Sequence, residues 1–463
     1  MGRVCRDRSH IQRPILGWRQ GSVHEARALE PKSGGPVTLS RWVMGVTGLI
    51  TAGLPCSPLW SQSSASFSRQ EAVDSALAWN PALVVAREQA EQARARVVEA
   101  TAFPDPSLSA DFTGQTGLLS PGSRTGGDVG VGVTVPFPYK FHLRGSVSRA
   151  DVESAQYAYT LLAQQTASQT AQAYDALLVA LRHQSDLTEG KQLAEDFLEK
   201  TEARMDAGTA ARIDVLRARV DLAAAVNALI ANQRDIANAR AGIDRLLGRS
   251  LAAPFEASDS LLVPDDLPAL DSLLRRAQAG RPELLSLASQ QAGARASTTL
   301  AREYWLPDLD LFASRNYAAG SPATYTTGVG FSIPLFFWNH RRGEVAESQH
   351  HEFELRAAYR DQAAQVEQDV RLTYAAAATA IEQAKYLRDD LLPEARQAYH
   401  ITLVSYGLGG SSALDVLDAR RTLLDAESQY ADALGAANDA RADLERAAGS
   451  PVGDLPSGDA HDK

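Results

Sequence analysis

"GVGVTVPFPYKFHLRGSV" occupies Gly130–Val147, and "GVGFSIPLFFWNHRRGEV" occupies Gly328–Val345. Eight of the 18 positions are identical, among them Pro136/Pro334, His142/His340, Arg144/Arg342 and Gly145/Gly343. Each copy opens with period-two alternation. Val129, Val131, Val133 and Val135 oppose Gly130, Gly132 and Thr134; Thr327, Val329, Phe331 and Ile333 oppose Thr326, Gly328, Gly330 and Ser332. An apolar face backed by a small or polar one predicts a β-strand. It fits a wall with lipid outside and water inside. Proline cannot donate in a strand ladder and is tolerated in the first helical turn, so Pro136 and Pro334 are expected to end the strands as helices begin. The aromatics that follow are Phe137, Tyr139 and Phe141 in one copy and Phe336, Phe337 and Trp338 in the other. With Phe103 and Trp305 they are expected at the lipid–water boundary, and Lys140, Arg144, Arg341 and Arg342 beyond it, in water.

The repeat extends well past these stretches. "NPAL" at Asn80–Leu83 parallels "RPEL" at Arg281–Leu284, and "FPDPSL" at Phe103–Leu108 parallels "LPDLDL" at Leu306–Leu311. "IDVLRARVDL" at Ile213–Leu222 parallels "LDVLDARRTL" at Leu414–Leu423, and Gly248 parallels Gly449. Offsets stay between 198 and 203 residues, too long for a solenoid. The chain reads as a duplicated protomer of the kind transporters use. A partner strand precedes each junction: Leu108, Ala110 and Phe112 alternate with Ser107, Ser109, Asp111 and Thr113, and Leu309, Leu311 and Ala313 alternate less cleanly. Gly-, Ser- and Pro-rich segments, "GQTGLLSPGSRTGGD" and "RNYAAGSPAT", join the hairpins as exposed loops. Strands of about ten residues suit a tilted membrane crossing. Four strands cannot close a barrel, and an open sheet edge cannot face lipid. The chain is therefore expected to pool strands with copies of itself. Two copies give eight strands, too narrow for an open pore; three give a twelve-stranded barrel. The alternative is a soluble sheet carried by the helices, and the lack of further core strands speaks against it.

Helical sequence makes up the rest. Phe141 to Met205 holds no proline, and Asn339 to Ser405 holds only Pro393. Some 65 residues of helix span ~100 Å at 1.5 Å per residue, which implies coiled-coil packing. In the helix that follows the first, Val220, Leu222, Ala223, Val226, Leu229, Ile230 and Ile236 recur at three- and four-residue spacing. Shorter helices are expected over 70–101, 212–247, 268–304 and 411–448, with breaks or bends at Asn80-Pro81 and Gly280-Arg281-Pro282. The proline-bearing stretch Ser250–Pro268 links the halves and is expected on the outside of a helical tube. In all, residues 1–66 read as signal and disordered N-terminus, 67–249 as the first repeat, 250–267 as the linker, 268–449 as the second repeat and 450–463 as a disordered tail.

The N-terminus supports export. Eight Lys/Arg precede the apolar stretch Trp42–Leu54, which is too short to span a bilayer but suits the h-region of an export signal, with small residues following it. Cys5 falls within the signal, and Cys56 in "GLPC" is a poor lipidation site because Pro55 precedes it. No disulfide framework exists. The net charge of -10 speaks against a nucleic-acid partner. An exported chain with no apolar run long enough for a transmembrane helix is either soluble or a β-barrel.

These junctions, the helix starts "NPAL" and "RPEL", the "PD" strand entries and "YGLGGSSALDVLDARRTLLDAE" resemble the TolC-type outer-membrane efflux channel family along roughly residues 68–450. The resemblance implies a mainly α fold with a small transmembrane β part: a long α-helical barrel on a 12-stranded trimeric β-barrel, four strands per protomer. It implies a homotrimer in the outer membrane with its helices in the periplasm, a periplasmic adaptor (membrane fusion) protein, and an inner-membrane RND or ABC-type pump. It also implies site residues. Asp415 and Asp418, three residues apart on one helix face, match the constriction motif; tripled they would ring the closed end, and such acidic rings favour cations. Asp415 is also placed to form a capping box with Ser412, the less favoured of its two readings. The first copy has Asp214 but Arg217 at the second position. Tyr406 matches a residue that latches the closed tip, although Ser411 stands where an arginine is usual. Gly409, Gly410, Gly208 and Thr209 match the turns that meet the adaptor; glycine there also serves as a helix C-cap.

No P-loop, GxSxG or HExxH is present, and His340, His350 and His351 read as surface residues, so neither enzyme activity, cofactor nor bound metal is expected. The expected function is a passive exit duct of a tripartite exporter. A type I protein-secretion outer-membrane component and a non-channel periplasmic coiled-coil protein are the alternatives. The "PLFFWNHRRGEV" junction most resembles the heavy-metal cation efflux members of the family, which implies metal cargo, with drugs or a secreted polypeptide as the alternatives.

Overall fold

A computed structural model describes residues 65–114, 124–248, 255–264, 266–333 and 337–449. The export signal, Cys5, Cys56, Pro334, Phe336 and the C-terminal tail lie outside these, as do the side chains of Phe337, Trp338 and His340. In chain order the described elements are β1 (Ala65–Phe67), α1 (Arg69–Trp79), α2 (Pro81–Thr101), β2 (Ser107–Gly114), β3 (Arg124–Val135), α3 (Pro138–Asp206), α4 (Arg212–Leu247), β4 (Phe255–Ala257), α5 (Leu270–Gly280), α6 (Pro282–Arg302), β5 (Asp308–Ala318), β6 (Thr324–Ser332), α7 (Phe337–Tyr386), α8 (Leu392–Leu408) and α9 (Ala413–Ala448).

The four predicted strands form one antiparallel sheet in the order β2-β3-β5-β6. Its register aligns the apolar residues across every strand. Leu108 lies opposite Val131, Val131 opposite Ala313, and Val133 opposite Leu311, which faces Val329. Directly paired residues share a face. One face therefore carries Leu108, Phe112, Val129, Val131, Leu311, Val329 and Phe331, all exposed in the single chain. The opposite face carries Ser107, Ser109, Asp111, Asp128, Thr134, Asp310, Ser314, Asn316, Thr326 and Ser332. Phe312 is the exception on that polar face, and its ring lies where a Cβ on Gly328 would sit, so glycine at 328 makes room for it. Both outer strands, β2 and β6, have one edge unpaired among the described residues.

The duplication is visible in how the helices stop. α1 breaks before Pro81 and α5 before Pro282, each proline taking the first position of the next helix. The residue at each break ties down the end of the closing helix of its own repeat. Asn80 Nδ2 donates to Leu246 O at 2.9 Å, and Arg281 Nη1 donates to Ala447 O at 3.0 Å. Gly248 and Gly449 end those helices at φ 64° and 79°. At Gly248 a Cβ would lie 2.8 Å from Trp79 O, so the close approach excludes any side chain. Pro393 does not break the second long helix. A π-helical turn at Leu387–Leu391 precedes it, and α7 runs on into α8. The wider turn absorbs the hydrogen bond that the proline cannot make.

The core is four small clusters strung along the helices, not one centre. Ala180, Ala377, Ala384, Ala437 and Ala447 are among the buried residues, and their small side chains let the helices approach closely. No helix among the described residues is long and apolar enough to cross a membrane.

Three expectations need correction. Residues 65–66 belong to a strand, not to a disordered N-terminus: β1 pairs in parallel with β4, Ala65 with Phe255 and Phe67 with Ala257. Arg69 N donates to Asp259 at 2.6 Å, and Asp259 N donates to Tyr174 Oη at 3.4 Å, so the linker is fastened to α1 and α3; Tyr174 Oη in turn donates to Phe67 O of β1 at 2.7 Å. The apolar stripe assigned to α4 is largely open in the single chain, with Val220, Val226 and Ile230 exposed and Ile236 buried. Lys140 is not in water: it is 3% exposed, with its Nζ 2.8 Å from Asp308 Oδ1 and 2.7 Å from Leu306 O. A buried ammonium requires such partners, and Leu306 together with Asp308, the first residue of β5, supplies them. Phe103, Phe137, Tyr139 and Trp305 are exposed, as residues at a lipid boundary must be in an isolated protomer.

Candidate functional site

Two helix–turn–helix tips lie at the ends of α3 and α8. In the first, Gly208 takes φ 75°, and Thr209 closes the turn by donating both N and Oγ1 to Arg204 O, at 2.8 and 3.1 Å. Asp214 sits in the first turn of α4, where Arg217 pairs with it at 3.4 Å. In the second tip Gly409 takes φ 85°, Gly410 N donates to Ser405 O at 2.9 Å, and Ser411 Oγ donates to Ser405 Oγ at 2.8 Å. Ser411, placed where the resemblance would have an arginine, thus secures the turn itself.

Both readings of Asp415 meet at one residue. Ser412 N donates to Asp415 Oδ2 at 2.8 Å, and Asp415 N donates to Ser412 Oγ at 3.2 Å, a complete capping box. The hydrogen bonds from Ser412 hold the Asp415 carboxyl below the usual carboxylate range, so it remains ionised while engaged in the cap. Asp418 is exposed and makes no side-chain ion pair among the described residues, so it is the carboxylate left free. It lines an open groove between α4 and α9 with Asp221, Asp425, Arg217 and Arg421, floored by Ile213, Leu216, Val220, Leu414, Leu417 and Leu424. Asp221 is itself paired with Arg420, whose Nη1 donates to Gly190 O at 2.9 Å.

Tyr406 is 3% exposed. Its ring centroid lies 5.5 Å from that of Phe197, its hydroxyl reaches Thr201 Oγ1 at 3.3 Å, and Arg204 Cζ lies 4.5 Å from its centroid. Nε and Nη1 of Arg204 are buried with no hydrogen-bond partner among the described residues, so the ring face is the guanidinium's main compensation. The cation that faces Tyr406 therefore comes from α3, some 200 positions away in sequence, and not from the turn beside it. Only the folded chain brings the two together.

Midway along the helices, Asp439 of α9 is half-buried beside Asp175 and Asp443, and burial followed by repulsion from these two carboxylates pushes its pKa up to about 6, against a smaller opposing pull from Arg69. The native state then holds this proton more tightly than the unfolded chain does. Its stabilising contribution is complete below pH 3.8 and is lost as pH rises through about 6. Asp439→Asn removes the penalty at neutral pH. After discounting for solvent screening, the gain is about 1–2 kcal/mol at pH 7.5 and near zero at pH 4. Melting curves of the two proteins at the two pH values check this.

No group of three or more His, Cys, Asp or Glu set to hold a metal occurs among the described residues. Taken together, a duplicated chain with a four-stranded, two-faced sheet, helices of ~100 Å and tight tips at their ends defines a protomer of an outer-membrane channel with a periplasmic helical part. The chain belongs to the outer membrane efflux protein family, whose profile matches residues 72–249 and 273–450, one match per repeat. Among curated relatives, the cobalt-zinc-cadmium resistance protein CzcC of Cupriavidus metallidurans is 23% identical over 290 residues, 61% of this chain and 67% of that protein. Protein CyaE of Bordetella pertussis is 27% identical over 296 residues, 59% of this chain and 61% of that protein. Among solved structures, the outer-membrane channel OprN superposes with a TM-score of 0.71 at 22% identity, covering 82% of this chain and 90% of that one.

Proposed function

We propose that three copies of the chain close into a twelve-stranded barrel on a helical tunnel, forming the passive exit duct of a tripartite exporter with a periplasmic adaptor and an inner-membrane pump. The observation that carries this reading is the pair of unpaired edges on β2 and β6 beside a largely apolar outer face, interrupted by Arg315 and Thr327. An open edge in lipid leaves several backbone groups unsatisfied, and closure with neighbouring copies removes them. The helical layer agrees. Ile401, Val404 and Leu408 on α8 and Val226 and Ile230 on α4 are apolar residues left exposed in the single chain. The turns at Gly208, Thr209, Gly409 and Gly410 are the surface offered to the adaptor's helices.

Within this reading Asp415 and Asp418, tripled by symmetry, ring the tunnel tip, with Asp418 the carboxylate left free, and the cargo is a cation. The similarity to a cobalt-zinc-cadmium resistance protein supports a metal ion over a drug or a polypeptide. Asp418→Asn is expected to lower the cation-to-anion permeability ratio of the reconstituted channel by severalfold without changing trimer yield, since rings of acidic side chains set cation preference. Reversal potentials under a salt gradient measure the ratio. An unchanged ratio would remove Asp418 from the conduction path and leave the duct itself standing.

A further inference from the structure

Where the sheet meets the helices, Arg302 at the end of α6 and Arg341 and Arg342 in the first turns of α7 line one cavity of about 360 Å³. Tyr304, Trp305 and Val345 are also in its wall, and no carboxylate is among the lining residues. Arg341 is spoken for: Glu344 pairs with it, and its Cζ stacks 3.3 Å from the Tyr304 ring centroid. Lys140 approaches the same ring at 5.1 Å, already neutralised by Asp308. Arg302 and Arg342 are exposed and have no ion-pair or hydrogen-bond partner among the described residues. The cavity therefore presents two unneutralised guanidiniums, a third held in place by stacking, and an exposed tryptophan. It sits between α6 and α7, where the chain enters β5 and leaves the edge strand β6. Asp308 and Ser332, the strand ends beside it, fix its depth at the periplasmic rim of the membrane wall.

We propose that this cavity binds a phosphate ester, with Arg302 and Arg342 holding the phosphate oxygens and Trp305 lying against the adjoining glycerol and acyl region. Planar guanidiniums match phosphate bidentately, and basic pockets at membrane boundaries take anionic headgroups. The same chemistry fits two sources: an anionic phospholipid of the inner leaflet or a soluble phosphate. The lipid arm rests on the membrane placement above; the phosphate arm, in detergent, does not.

The test uses the full-length assembled protein and Arg302→Ala/Arg342→Ala, with Arg342→Gln as a milder variant and Arg144→Ala as a control outside the cavity. Native mass spectrometry from phosphatidylcholine nanodiscs doped with phosphatidylglycerol counts retained phosphatidylglycerol. The double variant is expected to retain it at least tenfold less, since each lost charge-assisted contact alone is worth about tenfold or more, and Arg144→Ala to match the wild type. Calorimetric titration with inorganic phosphate in a phosphorus-free detergent identifies the soluble source if only that binding is lost in the variant. Equal lipid retention and equal phosphate binding in wild type and both cavity variants would overturn the proposal.

Discussion

Val131→Arg is expected to abolish the heat-resistant, membrane-inserted form of the protein. Val131 lies within β3, opposite Leu108 on one side and Ala313 on the other, on the face that carries the apolar residues of all four strands. An arginine facing lipid at the midplane of a barrel wall costs about 2–4 kcal/mol, and in a trimer that becomes roughly 6–12 kcal/mol for one substitution. That is comparable to the whole stability of an ordinary domain. Ser109→Arg is the matched control. It lies at nearly the same depth but on the polar face, opposite Gly130, where the new side chain meets water. Outer-membrane yield and resistance of the oligomer band to unfolding in detergent report the difference. Loss with Val131→Arg and retention with Ser109→Arg is the expected pair; equal tolerance would mean the two faces do not see different solvents.

The second large effect belongs to the tip. Tyr406→Ala empties a buried site between Phe197 and Arg204 and leaves a guanidinium already short of hydrogen bonds without its aromatic face. Truncation of a buried aromatic costs about 3–5 kcal/mol, and the lost cation–π contact adds up to about 2. The strain falls on the turn from Ser405 to Ser412, so amide exchange there is expected to accelerate by two orders of magnitude or more, with little change in the sheet. Channels carrying the variant are expected to be open for a larger fraction of time. Tyr406→Phe loses only the 3.3 Å contact with Thr201, worth about 1 kcal/mol, and should remain close to wild type.

Much of the fold was legible because it is written in short-range patterns. Alternation at Val129–Val135 and Thr327–Ile333 specified strands and their faces, the prolines at 81 and 282 specified helix starts, and Ser412 with Asp415 specified a cap. What escaped is long-range or brief. β1 and β4 are three residues each and pair across 190 positions, so no local period announces them. Lys140 sits in a run of aromatic and basic residues that reads as a boundary, but its partner Asp308 lies 168 positions away. The Tyr406 site was legible as a residue and not as an arrangement, since Arg204 comes from the other repeat. The α4 stripe was recognised as apolar, but one chain alone does not bury it; Val226 and Ile230 wait for a surface that a single copy does not have.

That incompleteness can be measured directly. Ala110 on β2 and Tyr325, Thr327 and Val329 on β6 share the apolar face and stand on the two unpaired strands. With Cys5 and Cys56 replaced by serine, Ala110→Cys is combined in turn with a cysteine at each β6 position, and oxidised membranes are run under denaturing conditions. The account predicts that at least one pair yields a ladder of one, two and three linked chains that stops at three. Chains that remain single with every pair, or a ladder that continues past three, would contradict it.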